Sequence, residues 1–396
     1  MSVGEEFSIS EKNKEIEQLR ARLPSDVDKD MYNDTYQLYL ILKEYNFDVN
    51  EGEIALKKIL NWKTKLQLEK YDEANISELI KKYFEKHLLG FSKENGVVHY
   101  FPFGKLDSKG VCMSIKFSDL EKLFGKIFED DLQMQRTKKE ADGSYPRTIC
   151  IFDMEGLTFA NATDKKGIDY IIRILKSYQD YYPGILKTIY VINISTYFLI
   201  PCSIVKSCLS SSFVSRVQFY GTDDWQEELL KVIDADHLPA FLGGNKTDPD
   251  GNPLCKTLVM QAGKIDEKHY IQKSKTPIVN SPGVKKIVLA RASFSEIELE
   301  IKEDGSLIEW EFETKTRDIG FGLFYKDKTE EEKIIELVPL LRIDTEDYSE
   351  TGVYKCEKAG TYIMLFDNSY SWIRSKEIYY RTKITLKKEH EAALQD

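Results

Sequence analysis

Side chains able to do chemistry are present in this chain, but never at a spacing that would make them act together. The five histidines, His87, His99, His237, His269 and His390, are scattered. No HExxH or HxxxH step turns two imidazoles toward one zinc ion, so no metal is expected. The six cysteines, at 112, 150, 202, 208, 255 and 356, show no CxxC spacing and sit mostly in apolar runs, the pattern of reduced, buried thiols. No G-x-S-x-G elbow exists, and Ser210, Ser211 and Ser212 read as a helix-end loop. Asp153 and Glu155 could form a carboxylate pair, but alternate positions at a strand end are usually structural. Glu155-Gly156 and residues 164–167 match neither nucleotide fingerprint. No catalytic group and no cofactor is expected.

Composition narrows the partners. A formal charge of -10 over 396 residues speaks against a nucleic-acid binder, which needs an excess of Lys and Arg. It also argues against a purely electrostatic hold on anionic lipid, leaving room for a local basic patch. The start, MSVGEEFSIS, has neither the basic and apolar runs of a signal peptide nor a glycine for myristoylation. The most apolar run, 189–200, is well short of the roughly 20 residues of a membrane span. These features lead to the expectation of a cytoplasmic protein that touches membranes peripherally.

The elements that must position any site follow from periodicity. Apolar steps at Tyr36, Leu40 and Ile41, then at Ile54, Leu56, Ile59, Leu60 and Trp62, then at Ile76, Leu79, Ile80 and Tyr83, predict an all-helical unit over 1–86. Strands are expected at 97–103, 148–154 and 188–194, with helices at 118–139 and 168–182 between them. Short apolar strands alternating with helices imply a mainly parallel sheet covered by helices. A Pro-rich linker is read at 274–283. Beyond it the period becomes two: Ile297, Leu299 and Ile301 alternate with glutamates, and so do Ile308, Trp310 and Phe312. Asp304-Gly305 suits a type I′ hairpin pairing Ile301 with Ile308, Leu299 with Trp310 and Ile297 with Phe312. That hairpin would carry six glutamates on one face, either a solvated surface or a dock for a basic protein partner. Further strands at 320–325, 360–367 and 376–386 complete an expected β-sandwich.

The order strand, apolar helix, strand, amphipathic helix from YYPGILKTIYVINIS through PCSIVKSCLSSSFVSRVQFYG to WQEELLKVIDADHLPAFLGG resembles the second half of a CRAL-TRIO domain. That is the lipid pocket of phosphatidylinositol and phosphatidylcholine transfer proteins and of tocopherol carriers. TDPDGNPLC, and then WEF, DIGFG, GTYIMLFDNSYSW and SKEIYY, resemble the connector and C-terminal GOLD domain of the supernatant protein factor, or tocopherol-associated, subfamily. The resemblance covers about 30–386. It implies a multidomain chain: an all-helical N-terminal unit (1–86), an α/β CRAL-TRIO lipid-binding domain with a mainly parallel sheet and an apolar pocket (87–273), a linker (274–283) and a jelly-roll-like antiparallel β-sandwich (284–396).

On a helical wheel the segment 198–209 puts Phe198, Ile200, Cys202, Ile204, Val205, Cys208 and Leu209 over about 200°, wider than the stripe of a surface helix. This describes either a helix buried in a large core or, as the resemblance implies, a mobile gate that opens at a bilayer. In phosphatidylcholine-binding members two hydroxyls on the first buried strand hold the phosphate; the matching positions here are Thr148 and Cys150. An aromatic partner falls at His99 or Tyr100, and Phe152, Tyr190 and Ile192 would line the floor. The phosphatidylinositol positions become Tyr45, Gly184, Phe213 and Arg216, of which only Arg216 keeps the chemistry. A buried phosphate without charged partners is costly. The expected ligand is therefore a less polar lipid: a tocopherol-like isoprenoid, a sterol, squalene or a fatty acyl lipid. The expected function is lipid binding and transfer, the alternative being a lipid-sensing adaptor that docks trafficking or signalling proteins through the GOLD-like domain.

Overall fold

The computed structural model describes residues 9–24, 27, 29–66, 78–84, 87–140, 144–260, 263–271, 278–315, 317–326, 334–345 and 349–386. The expected helical position Ile76, residues 274–277 of the expected linker and His390 lie outside them. The chain divides into two compact units, Met1–Cys112 with Leu120–Glu267, and Met113–Asp119 with Lys268–Asp396.

The first unit opens with helices α1 (Asn13–Arg20), α2 (Lys29–Asn33), α3 (Thr35–Glu44), α4 (Val49–Leu66) and α5 (Glu78–Phe84). Ile16, Leu19, Leu38, Leu42, Leu56 and Ile59 of α1, α3 and α4 are fully buried. Asp34 starts α3 by accepting from Gln37 N at 2.9 Å, and its second oxygen takes Arg136 Nε at 2.6 Å. One carboxylate thus serves both as a helix cap and as an ion-pair partner.

Next come β1 (Leu88–Phe91), β2 (Val97–Phe101), α6 (Ser108–Ser114), α7 (Phe117–Arg136), β3 (Thr148–Asp153), α8 (Phe159–Ala162), α9 (Lys165–Tyr181), β4 (Leu186–Ile192), α10 (Leu199–Cys208), α11 (Ser211–Val214), β5 (Val217–Phe219) and α12 (Trp225–Val232). The sheet order is β1-β2-β3-β4-β5, parallel from β2 to β5, with β1 antiparallel at one edge. Because strand order follows chain order, right-handed crossovers place the helices between β2 and β5 on one face. The other face is closed by Trp225 and Leu229 of α12 and by Ile233, Leu238, Leu242, Cys255 and Val259 from the chain that follows.

The second unit is a sandwich of β6 (Lys285–Leu289), β7 (Phe294–Ile301), β8 (Leu307–Thr314), β9 (Asp318–Lys326), β10 (Ile334–Asp344), β11 (Glu350–Lys355), β12 (Gly360–Asp367) and β13 (Lys376–Thr385). Its antiparallel sheets run β10-β9-β12-β7 and β11-β8-β13-β6. The expected β7–β8 hairpin does not form. β7 pairs with β12, with Ile301 opposite Gly360, while β8 pairs with β11 and β13, with Ile308 opposite Tyr354 and Ile384. A two-residue I′ turn needs positive φ at both Asp304 and Gly305, and only Gly305 has it, at 80°. Gly305 N donates instead to Cys356 O at 2.7 Å, and the chain arches from one sheet to the other.

The apolar sides of both strands therefore face each other across the core, where Leu299, Ile301, Ile308, Trp310 and Phe312 are buried with Phe321 and Phe366. The six-glutamate face is corrected with the hairpin. Glu296, Glu298 and Glu300 lie on one sheet and Glu309, Glu311 and Glu313 on the other. Glu311 pairs with Arg381 at 2.6 Å and Glu309 with Lys383 at 3.6 Å, so cross-strand repulsion between those glutamates gives way to cross-strand attraction.

Phe312 has no exposure and its ring centroid lies 4.6 Å from that of Phe321 and 5.2 Å from that of Phe366. Phe312→Ala is expected to destabilise the second unit by about 3–5 kcal/mol in urea denaturation. A change below about 1 kcal/mol would mean that the two sheets do not share this core.

Candidate functional site

On the helix-covered face of the sheet the strands do not meet the helices everywhere. Strand alternation sets two rows of side chains there: His99, Cys150, Ile189 and Val217 in register, then Phe101, Phe152, Val191 and Phe219. Over these rows lie Leu120, Phe124, Ile127 and Phe128 of α7 and Ile171, Ile174, Leu175 and Tyr178 of α9, leaving an apolar chamber. A second lobe continues beneath α10, α11 and β5. The lobes hold about 900 and 980 Å³ of empty space, partly continuous with solvent, and share Phe103, Leu106, Phe152, Ile171, Leu175 and Ile189 as walls. Rings prop the chamber: Phe103 meets Phe152 edge-on at 4.8 Å, and Phe101 lies 5.6 Å from Phe103.

Its one carboxylate among the described lining residues is Asp131 of α7. Both of its oxygens lie within 2.8 Å of His99 Nε2, and both side chains are buried. Thr148 Oγ1 lies 3.4 Å from Asp131 and 2.6 Å from the Gln135 side-chain amide. The Thr148 hydroxyl is thus committed to the protein and is absent from the chamber wall, against the expectation that it meets a ligand. Burial, with the Asp131 charge nearby, pushes the Cys150 thiol well above its ordinary range.

Of the residues expected to touch a ligand, His99, Cys150, Phe152 and Phe213 do line the chamber. Tyr100, Tyr190 and Ile192 do not, because strand parity turns them to the opposite face, into the core around Trp225. There Tyr100 donates to Asp153 Oδ2 at 2.8 Å, and Asn193 Nδ2 donates to Asp153 Oδ1 at 2.8 Å while its oxygen accepts from Trp225 Nε1 at 3.1 Å. Asp153 is thus a structural acceptor, and Glu155 pairs with Lys105. Arg216 lies off the chamber wall, with Glu44 Oε2 3.0 Å from its guanidinium. At Gly184, one of the phosphatidylinositol positions, a Cβ would sit 2.9 Å from Leu40 Cδ2 on a backbone at φ 76°.

In the expected gate, Phe198, Cys202, Val205 and Leu209 line the second lobe, as does Lys206, while Ile204 and Cys208 face solvent. The side chain of Ile200 lies outside the described residues. Ser210 ends the segment as the cap of α11, accepting from Phe213 N at 3.1 Å. Sequence reasoning missed Asp131 and Phe103. Asp131 continues the Phe124, Ile127, Phe128 stripe of α7, so a carboxylate inside an apolar helix face was the available signal.

Only the thiolate is nucleophilic, so a raised pKa keeps Cys150 unreactive until the pH is well above the usual thiol range. In native protein at pH 8, iodoacetamide is expected to modify exposed Cys208 at least about a hundredfold faster than Cys150, each pKa unit being a factor of ten. Peptide mass spectrometry reads the ratio, and equal rates would contradict the closed wall.

Residues 59–244 match the family model described as the CRAL/TRIO domain, and residues 326–385 match one described as Golgi-dynamics membrane-trafficking. Protein ctg-1 of Caenorhabditis elegans is 25% identical over 374 residues, covering 93% of this chain and 95% of that protein. The phosphatidylinositol/phosphatidylcholine transfer protein SFH4 of Arabidopsis thaliana is 27% identical over 257 residues, covering 62% of this chain and 41% of that protein, so the chain spans less than half of that relative. The crystal structure of Sfh5 aligns with a TM-score of 0.45 at 15% identity, covering 63% of this chain and 91% of that one. A sheet ordered β1 to β5 with its crossover helices over a chamber, followed by an antiparallel sandwich, accompanies both matches: the chain carries a CRAL/TRIO domain over residues 59–244 and a GOLD-type match over residues 326–385.

Proposed function

We propose that the first unit binds one hydrophobic lipid in the chamber and exchanges it with a bilayer by displacement of α10. The observation that carries this reading is a pair of adjoining apolar lobes whose described lining has one carboxylate and one cation, Lys206, which is exposed. Burying a lipid chain there gains roughly 0.8 kcal/mol per methylene. A phosphate in the inner lobe would face Asp131 with no free cation to offset it, and Arg216 is engaged with Glu44. This supports a sterol, isoprenoid, squalene or acyl lipid over phosphatidylinositol. In the tautomer that donates from His99 Nε2, the buried Nδ1, which has no hydrogen-bond partner among the described residues, would accept from one ligand hydroxyl.

Exposure on the outer side of α10 supports the gate. Leu199 is 69% exposed, and Phe159, Tyr197, Ile204 and Phe219 are exposed around it, an apolar margin suited to a bilayer. Among the described residues no helix is long and apolar enough to cross a membrane, so contact at this margin would be peripheral. The match to a model described as Golgi-dynamics membrane-trafficking favours a second reading, an adaptor that presents its lipid-bound state to a protein partner. Transfer kinetics separate the two, since a carrier must exchange ligand between vesicles.

Uptake by the full chain from vesicles carrying labelled squalene, cholesterol or phosphatidylinositol tests the ligand class. One of the first two is expected to outcompete phosphatidylinositol, and the reverse order would overturn the apolar reading. Ile171→Trp, in a wall shared by both lobes, is expected to lower uptake by about tenfold or more through loss of volume.

A further inference from the structure

The most exposed large apolar side chains of the protein's described residues stand side by side in the sandwich, in the loop joining β12 to β13. Trp372 is 80% exposed and Ile373 85%, whereas the other three tryptophans, Trp62, Trp225 and Trp310, are buried. Slackness does not account for this, because the backbone on both sides is fastened. Asn368, itself fully buried, donates from Nδ2 to Ala290 O at 2.8 Å and to Arg374 O at 3.0 Å. Ser371 Oγ donates to Arg374 O at 3.0 Å, and Ala292 N donates to Ser371 O at 3.0 Å. Tyr370 donates to Asp318 O at 3.1 Å and lies under the Arg342 guanidinium, 4.0 Å from the ring centre. The fold holds these two side chains outward.

Charge at this end of the sandwich identifies what they would meet. Asp318 is neutralised by Arg342 and Lys376, and Asp367 accepts from Ser369 N at 2.8 Å and from Ser369 Oγ at 3.0 Å. Arg374, beside the apolar pair, and Arg291, in the adjoining loop, are exposed and enter no ion pair among the described residues. Phe294, also exposed at 61%, starts β7 opposite Asp367 at the same end. A projecting tip of Trp and Ile flanked by uncommitted guanidinium groups fits the interface of an anionic bilayer, where indole rings settle at headgroup level and arginines reach phosphates. A protein groove would require a shape matched to the tip; a bilayer requires only that it project.

We infer that residues 369–374 form a membrane anchor for the sandwich, Trp372 and Ile373 entering the interfacial layer while Arg374 and Arg291 meet acidic lipid headgroups. Two apolar residues give a weak, reversible attachment, suited to repeated visits rather than permanent residence. The anchor stands independently of the chamber, and ligand uptake tests the chamber separately.

The buried state of the other tryptophans makes Trp372 a built-in probe. Adding phosphatidylcholine–phosphatidylserine vesicles to the full chain is expected to blue-shift the tryptophan emission and reduce its quenching by iodide. Trp372→Phe should keep vesicle binding and lose the spectral change. Trp372→Ser with Ile373→Ser should reduce co-sedimentation with vesicles by about tenfold or more. Arg291→Gln with Arg374→Gln should weaken binding to the mixed vesicles and leave binding to pure phosphatidylcholine unchanged. Undiminished co-sedimentation of the double serine variant would overturn the inference. So would a wild-type dimer in analytical ultracentrifugation that this variant dissociates, which would make the tip a self-association surface instead.

Discussion

Everything proposed for the first unit depends on the pleat of three neighbouring strands. Successive residues of β2, β3 and β4 alternate between a face that is filled and a face that is not. Val98, Tyr100, Ile149, Ile151, Tyr190 and Ile192 go to the filled side, where α12 and the segment after it close over them. His99, Phe101, Cys150, Phe152, Ile189 and Val191 go to the side where aromatic rings stand between sheet and helices and keep them apart. A shift of one residue in any of these strands would exchange the two sets and close the chamber. The His99–Asp131 contact ties α7 to β2 beside this space.

Polarity of the wall then decides what the chamber would admit. Apolar lining without partner atoms forgoes dispersion contacts, and a matched lipid restores them. Asp131 offers a ligand no positive charge, and the nearby hydroxyl of Thr148 is already engaged by Gln135. A ligand with one hydroxyl, or none, leaves fewer polar atoms unpaired than a phosphodiester would. The exposed apolar margin around α10 is the counterpart of the same argument: a door that opens into water exposes grease, and one that opens into a bilayer does not.

Much of this was legible in the residues. Helix and strand periods located α7, α9, β2, β3 and β4 to within a few residues, and the segment of α10 stood out as an apolar arc of about 200°. Parity was not legible for β4, because an unbroken apolar run such as Ile189 to Ile192 has no polar face to orient it, so Tyr190 and Ile192 were assigned to the wrong side. The arch between β7 and β8 was hidden for a related reason. A hairpin and a crossing between two facing sheets require the same alternation, and the φ angle of Asp304 that separates them depends on the tertiary contacts of Gly305 and Ser306 with Cys356. Arg216 and Thr148 had the right chemistry for a ligand, yet Glu44 and Gln135, distant in sequence, engage them.

The central claim is that the chamber holds a hydrophobic lipid, and the most direct measurement is mass spectrometry of an organic extract from protein purified out of its native cells without detergent. One sterol, isoprenoid or acyl lipid at near-equal stoichiometry is the predicted result. A stoichiometric phosphatidylinositol would contradict the account of the wall, and an extract with no lipid above background, from protein that also fails to take up any lipid from vesicles, would contradict the chamber itself.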